Sequence, residues 1–93
     1  MTELDRYRDK IDRTDTELLD MLARRFSYSQ RIGEIKREKG MPVVQSDRFD
    51  EILTSRKRQA IEAGLSEKFT EDFLRLIHTE SVRIQKEMGE KGE

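Results

Sequence analysis

The sequence has no cysteine, no tryptophan and a single proline among its 93 residues. Without cysteine, neither a disulfide framework nor a thiolate metal site is possible. Without tryptophan, and with only two tyrosines and four phenylalanines, a base-stacking nucleic-acid platform is not expected. An excess of either charge is missing too. The 19 Lys and Arg are matched by 20 Asp and Glu, for a net of −1, which is neither a basic nucleic-acid footprint nor an acidic tail. No apolar run approaches a membrane span, and the N-terminus has no signal-peptide core. These absences point to a soluble, cytoplasmic protein with no membrane and no nucleic-acid partner. Apolar residues are also scarce, at 33% hydrophobic against 42% charged, which is thin for a monomeric core. The expectation is one domain over residues 1–93 that shares its core with a partner.

What is present is helical periodicity. Residues 4–39 read as one helix of about 54 Å, opening near Thr2 as N-cap and closing at Gly40. Gly40 and apolar Met41 suit a helix stop, and Pro42 prevents continuation. Ser46 is the expected N-cap of a second helix over 47–62, with Asp47 favourably placed in its first turn. Gly64 and Leu65 repeat the glycine-then-apolar stop. Ser66 is expected to cap a third helix over 67–88, whose stripe is Phe73, Leu74, Ile77, Ile84 and Met88, with a frayed tail over 89–93. The fold class is all-α, three helices with a very long first helix. The shorter two total about 57 Å and cannot cover the first, so an intertwined helical homodimer is expected. A coiled-coil stalk fits less well, because Arg25, Ser29 and Lys36 interrupt the seam.

Winding the first helix at about 100° per residue puts Leu4, Tyr7, Ile11, Leu18 and Leu22 on one stripe. Arg25 and Lys36 fall on the same stripe. A buried cation is costly unless something anionic meets it. These two differ by only about 20° in direction and about 16 Å along the axis, leaving room for one small anion over a floor of Ser29 and Ile32. Taken singly, each is more often a snorkelling side chain or half of an ion pair. The third helix places Ser81 inside its apolar stripe and Gln85 at the edge, one turn apart, and Arg48 opens the second helix close by. Arg8 lies about 25 Å before Arg25, within reach only of a site on an antiparallel partner; a solvated surface arginine fits its position equally well. His78, about 100° from the centre of its stripe, is expected at the surface or facing a partner. There is no triad order, no second histidine and no glycine-rich phosphate loop. The result is a pocket of fixed cations and neutral donors needing no metal and no cofactor, able to bind a dicarboxylate and stabilise developing negative charge.

These residues form a pattern. Arg8 to Ile11, Asp15, Leu22 to Arg25, Ile32 to Lys36, Pro42 and Val43, Asp47 and Arg48, and Glu80 to Gln85 together resemble the all-helical, AroQ-type chorismate mutases over nearly the whole chain. The resemblance implies an intertwined homodimer with two sites shared between chains. Each site would convert chorismate to prephenate by a Claisen rearrangement, without a covalent intermediate, in the biosynthesis of phenylalanine and tyrosine. It also implies roles. Arg25 of one chain and Arg8 of the other grip the carboxylates, and Lys36 and Gln85 donate to the ether oxygen. Ser81 assists at a carboxylate, and Arg48 lies beside the ring and its hydroxyl. Two positions depart from the pattern. Well-studied relatives carry Glu where this chain has Phe49, and often Asp where it has Gln45, and both help hold the ring hydroxyl. Gln45 keeps a hydrogen-bond acceptor; Phe49 does not. Alternatives on the same fold are an isochorismate pyruvate lyase and a non-catalytic dimerisation or regulatory module. Fusion to, or association with, another shikimate-pathway enzyme is also implied as an option.

Overall fold

The computed structural model describes residues 2–90, all helical apart from short connections: α1 Glu3–Lys39, α2 Ser46–Glu62 and α3 Glu67–Glu90. The helix ends follow from local chemistry. Thr2 opens α1 with a reciprocal capping box. The Asp5 amide donates to Thr2 Oγ1 at 3.1 Å, and the Thr2 amide donates to Asp5 Oδ2 at 3.3 Å, satisfying two donors that the helix cannot. Gly40 closes it at φ 67°, a left-handed conformation that favours glycine. The Met41 amide then reaches back to the Lys36 carbonyl at 2.8 Å, the hydrogen bond of a Schellman stop. Gly64, at φ 86°, ends α2 in the same way, with the Leu65 amide 2.9 Å from the Ala60 carbonyl. Ser66 Oγ accepts from the Phe69 amide at 3.2 Å and caps α3.

Two boundaries differ from expectation. Ser46 is not the N-cap of α2 but its first helical residue. Gln45 occupies the cap position in an extended conformation and makes no side-chain cap bond. The first turn is closed by backbone instead, from the Arg48 amide to the Gln45 carbonyl at 3.0 Å, which leaves the Gln45 amide free for other use. The third helix continues through Gly89 to Glu90 rather than stopping at 88. The rest of the expected frayed tail, 91–93, lies outside the described residues.

α3 is the central element. α1 packs against one side of it and α2 against another, while α1 and α2 do not pack on each other. α1 and α3 run side by side in the same direction, since Ser29 meets Ser81 and Lys36 meets Gln85. Their closest approach is at Gly33. A Cβ built there would stand 2.8 Å from the Gln85 Cα and 3.1 Å from the Met88 Cβ. Among the described residues, the buried apolar side chains are Ala60, Ile77 and Ile84, joined by buried Ser29, Thr70, Ser81 and Gln85. The α3 stripe faces inward as its periodicity indicates, with Phe73, Leu74 and Met88 half-buried.

The N-terminal half of α1 projects beyond this small core. Leu4, Tyr7 and Ile11 are each more than half exposed, and Leu18 is 48% exposed. The molecule extends 56 Å along its longest axis, with a radius of gyration of 16.9 Å, against about 12 Å for a compact domain of this length.

Gly33→Ala is expected to destabilise the chain by about 1–3 kcal/mol through overpacking against α3. This outweighs the gain of about 1 kcal/mol in helix propensity. Urea unfolding checks the sign. A variant at least as stable as the parent would show that the α1–α3 approach is looser than 2.8 Å implies.

Candidate active site

Because the α1 and α2 backbones both lean on α3 and stay apart from each other, a cavity of about 370 Å³ opens between them. From α1 come Arg25, Ser29, Ile32 and Lys36, which the helical phase had placed on one side. α3 contributes Ser81 and Gln85, and the start of α2 contributes Arg48, with Gln45 just before it. Tyr28, Val43, Phe49, Ile52, Leu74, His78 and Val82 complete the wall. No Asp or Glu is among these residues. Arg8 is not at the cavity; it is exposed on the projecting half of α1.

One end of the cavity is organised by Lys36. Its ammonium donates to the Val43 carbonyl at 2.7 Å and to Gln85 Oε1 at 2.8 Å. Since the Gln85 oxygen is committed to Lys36, its NH₂ group remains as a donor. Lys36 likewise has a third proton to give. Burial holds the Lys36 ammonium below its ordinary pKa, because a cation loses solvation there.

The other end is organised by Arg25. Its Nη1 donates to Ser81 Oγ at 2.9 Å, and Ser29 Oγ donates to the same atom at 3.0 Å. Ser81 therefore accepts two bonds, and its own hydroxyl proton is left to donate. Burial, then the nearby Arg56 and Arg48, lower the pKa of Arg25. Like charges gathered without a carboxylate repel one another, and an anion among them relieves that repulsion. Arg48 itself is largely exposed and lies 3.8 Å from Glu51, so it reaches the rim rather than the floor.

His78, expected at the surface or facing a partner, is partly exposed. The imidazole is half-buried, lines the cavity and stacks on Phe49 with ring centroids 4.0 Å apart. The sequence winding measured its direction from the α1-facing centre of α3, whereas the cavity occupies the flank where α2 packs. Its spacing of three residues from Ser81, which makes the two neighbours on one helix face, was the signal that could have found it. Among the described residues no group of three or more His, Asp or Glu side chains is arranged to hold a metal ion, and no helix is long and apolar enough to cross a membrane.

The profile of the family described as chorismate mutase type II matches residues 7–86. The chain belongs to that family. A T-protein of Enterobacter agglomerans is 35% identical over 91 residues, which cover 98% of this chain and 24% of that protein. A 4-amino-4-deoxychorismate mutase of Streptomyces venezuelae is 34% identical over 83 residues, 89% of this chain and 81% of that protein. A bifunctional chorismate mutase/prephenate dehydratase of Aquifex aeolicus is 42% identical over 53 residues, 57% of this chain and 15% of that protein. The chain thus spans about a quarter of the length of the T-proteins it matches.

A small dicarboxylate such as malonate is expected to bind this family member and to raise its melting temperature. The stabilisation should decline as pH rises through the lowered Lys36 pKa, before an ordinary lysine would titrate, because the cation is lost there. Lys36→Arg, which stays charged, should bind malonate without that decline. Thermal-shift titrations over alkaline pH check this, and a decline shared by both proteins would assign the titration to another group.

Proposed function

We propose that the chain is a cytoplasmic chorismate mutase of aromatic amino-acid biosynthesis. The observation that carries this reading is the Lys36–Gln85 pair, 2.8 Å apart, at one end of an acid-free cavity whose other end is formed by Arg25 and Ser81. Chorismate carries two carboxylates and an enolpyruvyl ether. In the rearrangement the ether C–O bond breaks while a C–C bond forms between the side chain and the ring, and negative charge grows on the ether oxygen. Arg25, assisted by Ser81, binds one carboxylate. The free proton of Lys36 and the NH₂ group of Gln85 meet the ether oxygen. Holding the flexible side chain over the ring removes much of the entropic part of the barrier. The two donors accelerate the reaction because the charge they stabilise belongs mainly to the transition state. Arg48 and Gln45 lie beside the ring and its hydroxyl in this reading.

The second carboxylate needs a further cation. Arg8 supplies it from a second copy packed antiparallel along α1. Supporting this are the exposed Leu4, Tyr7, Ile11 and Leu18 on the same projecting segment and the distance of about 25 Å that separates Arg8 from Arg25 in one chain. The assembly is an intertwined homodimer with two shared sites. Fusion to a second enzyme of the same pathway is compatible with this arrangement, as in the bifunctional relative from Aquifex aeolicus.

A second substrate deserves comparison, because one relative is named for 4-amino-4-deoxychorismate. Its ring amine is a cation when protonated, and a cavity with Arg25, Lys36 and Arg48 and no lining carboxylate favours the neutral hydroxyl of chorismate.

Incubation with chorismate and with its 4-amino analogue, followed by product identification, tests the reading. Prephenate from chorismate is expected, at higher kcat/KM than turnover of the analogue. Conversion of isochorismate to salicylate and pyruvate, with chorismate untouched, would replace the mutase by a lyase. Lys36→Ala should lower kcat/KM by about 10²–10³-fold, as for loss of one oxyanion donor. Arg8→Ala and Arg25→Ala chains, each inactive alone, should regain about one intact site per heterodimer when mixed. No recovery despite subunit exchange would remove Arg8 from the partner's site.

A further inference from the structure

His78 and Tyr28 are polar residues in the cavity wall that the rearrangement set out above leaves without a task. Of the two, His78 stands on the same helix as Ser81 and Gln85. Phe49 covers one face of its ring at 4.0 Å, with the planes 23° apart. The ring edge makes no hydrogen bond to any described residue. One turn further along α3 stands Ser81, the acceptor of the Arg25 guanidinium at 2.9 Å. Side chains three apart on a helix are neighbours, so an anion seated on Arg25 and Ser81 lies within reach of the imidazole edge.

We propose that His78 is a further substrate-binding residue, donating from its ring edge to the carboxylate held by Arg25 and Ser81 and taking up a proton as the dianion binds. This rests on the reading of the cavity as a dicarboxylate site.

The charges facing His78 support the proton uptake. Arg25, from α1, acts on the imidazole directly, and Arg56 and Arg48, from α2, act on Arg25. On α3 itself, the Arg75 guanidinium lies 5.8 Å from the Phe49 ring centroid and is paired to Glu71 at 3.0 Å. Burial and then the Arg25 charge lower the imidazole pKa from its ordinary value, which favours the neutral ring. A carboxylate arriving beside it cancels the Arg25 field and favours the imidazolium. A ligand that prefers the protonated form must draw a proton in when it binds. Affinity for the dianion therefore rises as pH falls through the titration of His78 in the complex.

The test uses the intact chain and its His78→Phe and His78→Gln variants from about pH 5.5 to 8, the range in which histidine titrates. Chorismate kinetics are paired with calorimetric binding of a bicyclic dicarboxylate transition-state mimic in two buffers of different ionisation enthalpy. For the parent protein, KM should fall by up to about tenfold per unit of pKa shift as pH drops, with uptake of up to one proton on mimic binding. The kcat value should move less, since a carboxylate contact is shared by ground and transition states. His78→Phe keeps the ring stack and should lose both the pH dependence and the proton uptake. His78→Gln, which retains an NH₂ donor, should recover the neutral-pH KM without the pH dependence. A pH-independent KM with no proton uptake in the parent would overturn the proposal, as would an unchanged uptake in His78→Phe. If chorismate turns over with such a flat profile, the mutase reading stands and His78 falls. If the mimic binds with His78-dependent uptake but chorismate is not converted, the reverse holds. No binding of the mimic at all removes both.

Discussion

The ammonium of Lys36 is the interaction on which the arrangement depends. It starts on α1, takes the Val43 carbonyl in the connection to α2, and takes the amide oxygen of Gln85 on α3. Since α1 and α2 do not pack against each other, this one cation joins the three segments at the end of the cavity. Its neighbours are neutral dipoles rather than a carboxylate. Desolvating the cation is costly, and the two dipoles offset part of that cost without cancelling the charge. The cavity consequently stays positive and retains its attraction for an anion.

The same choice explains the weak core. Positions that a bundle would fill with leucine are taken by Ser29, Ser81 and Gln85, all buried and hydrogen-bonded. The described apolar core is reduced to Ala60, Ile77 and Ile84 with half-buried neighbours. Each hydrogen-bonded polar group contributes about 1 kcal/mol, less than a fully buried leucine does. Large apolar side chains meanwhile stay exposed, Leu4, Tyr7 and Ile11 on α1 and Phe69 and Leu76 on α3 among them.

How much of this was legible in the sequence depended on whether the cause was local. Thr2, Gly40, Gly64 and Ser66 marked helix ends because caps and left-handed stops act within a few residues. Helical phase alone placed Arg25, Ser29 and Lys36 on one side of α1, and Ser81 and Gln85 on one side of α3. What failed was tertiary. The place of His78 in the cavity wall was hidden because nothing local reveals on which flank of α3 the second helix settles. Ser46 lost the cap position to Gln45, whose carbonyl closes the first turn of α2. The importance of Gly33 was invisible too, since only the α3 backbone at Gln85 makes a side chain there too large. Arg8 is the remaining case, because its proposed ligand belongs to another copy of the chain.

The uninterrupted run of α1 from Arg25 to Lys36 has a consequence for how this chain can vary in length. Inserting one residue between them would turn one end of the cavity by about 100° relative to the other and lengthen it by about 1.5 Å. Both the Arg25–Ser81 and the Lys36–Gln85 bonds could not then survive. Outside that span, the segment between α1 and α2 carries no such phase requirement beyond delivering the Val43 carbonyl. Insertions and deletions are therefore excluded from the twelve residues of helix from Arg25 to Lys36 and admissible a few residues later, so the cavity geometry is stored as a residue count.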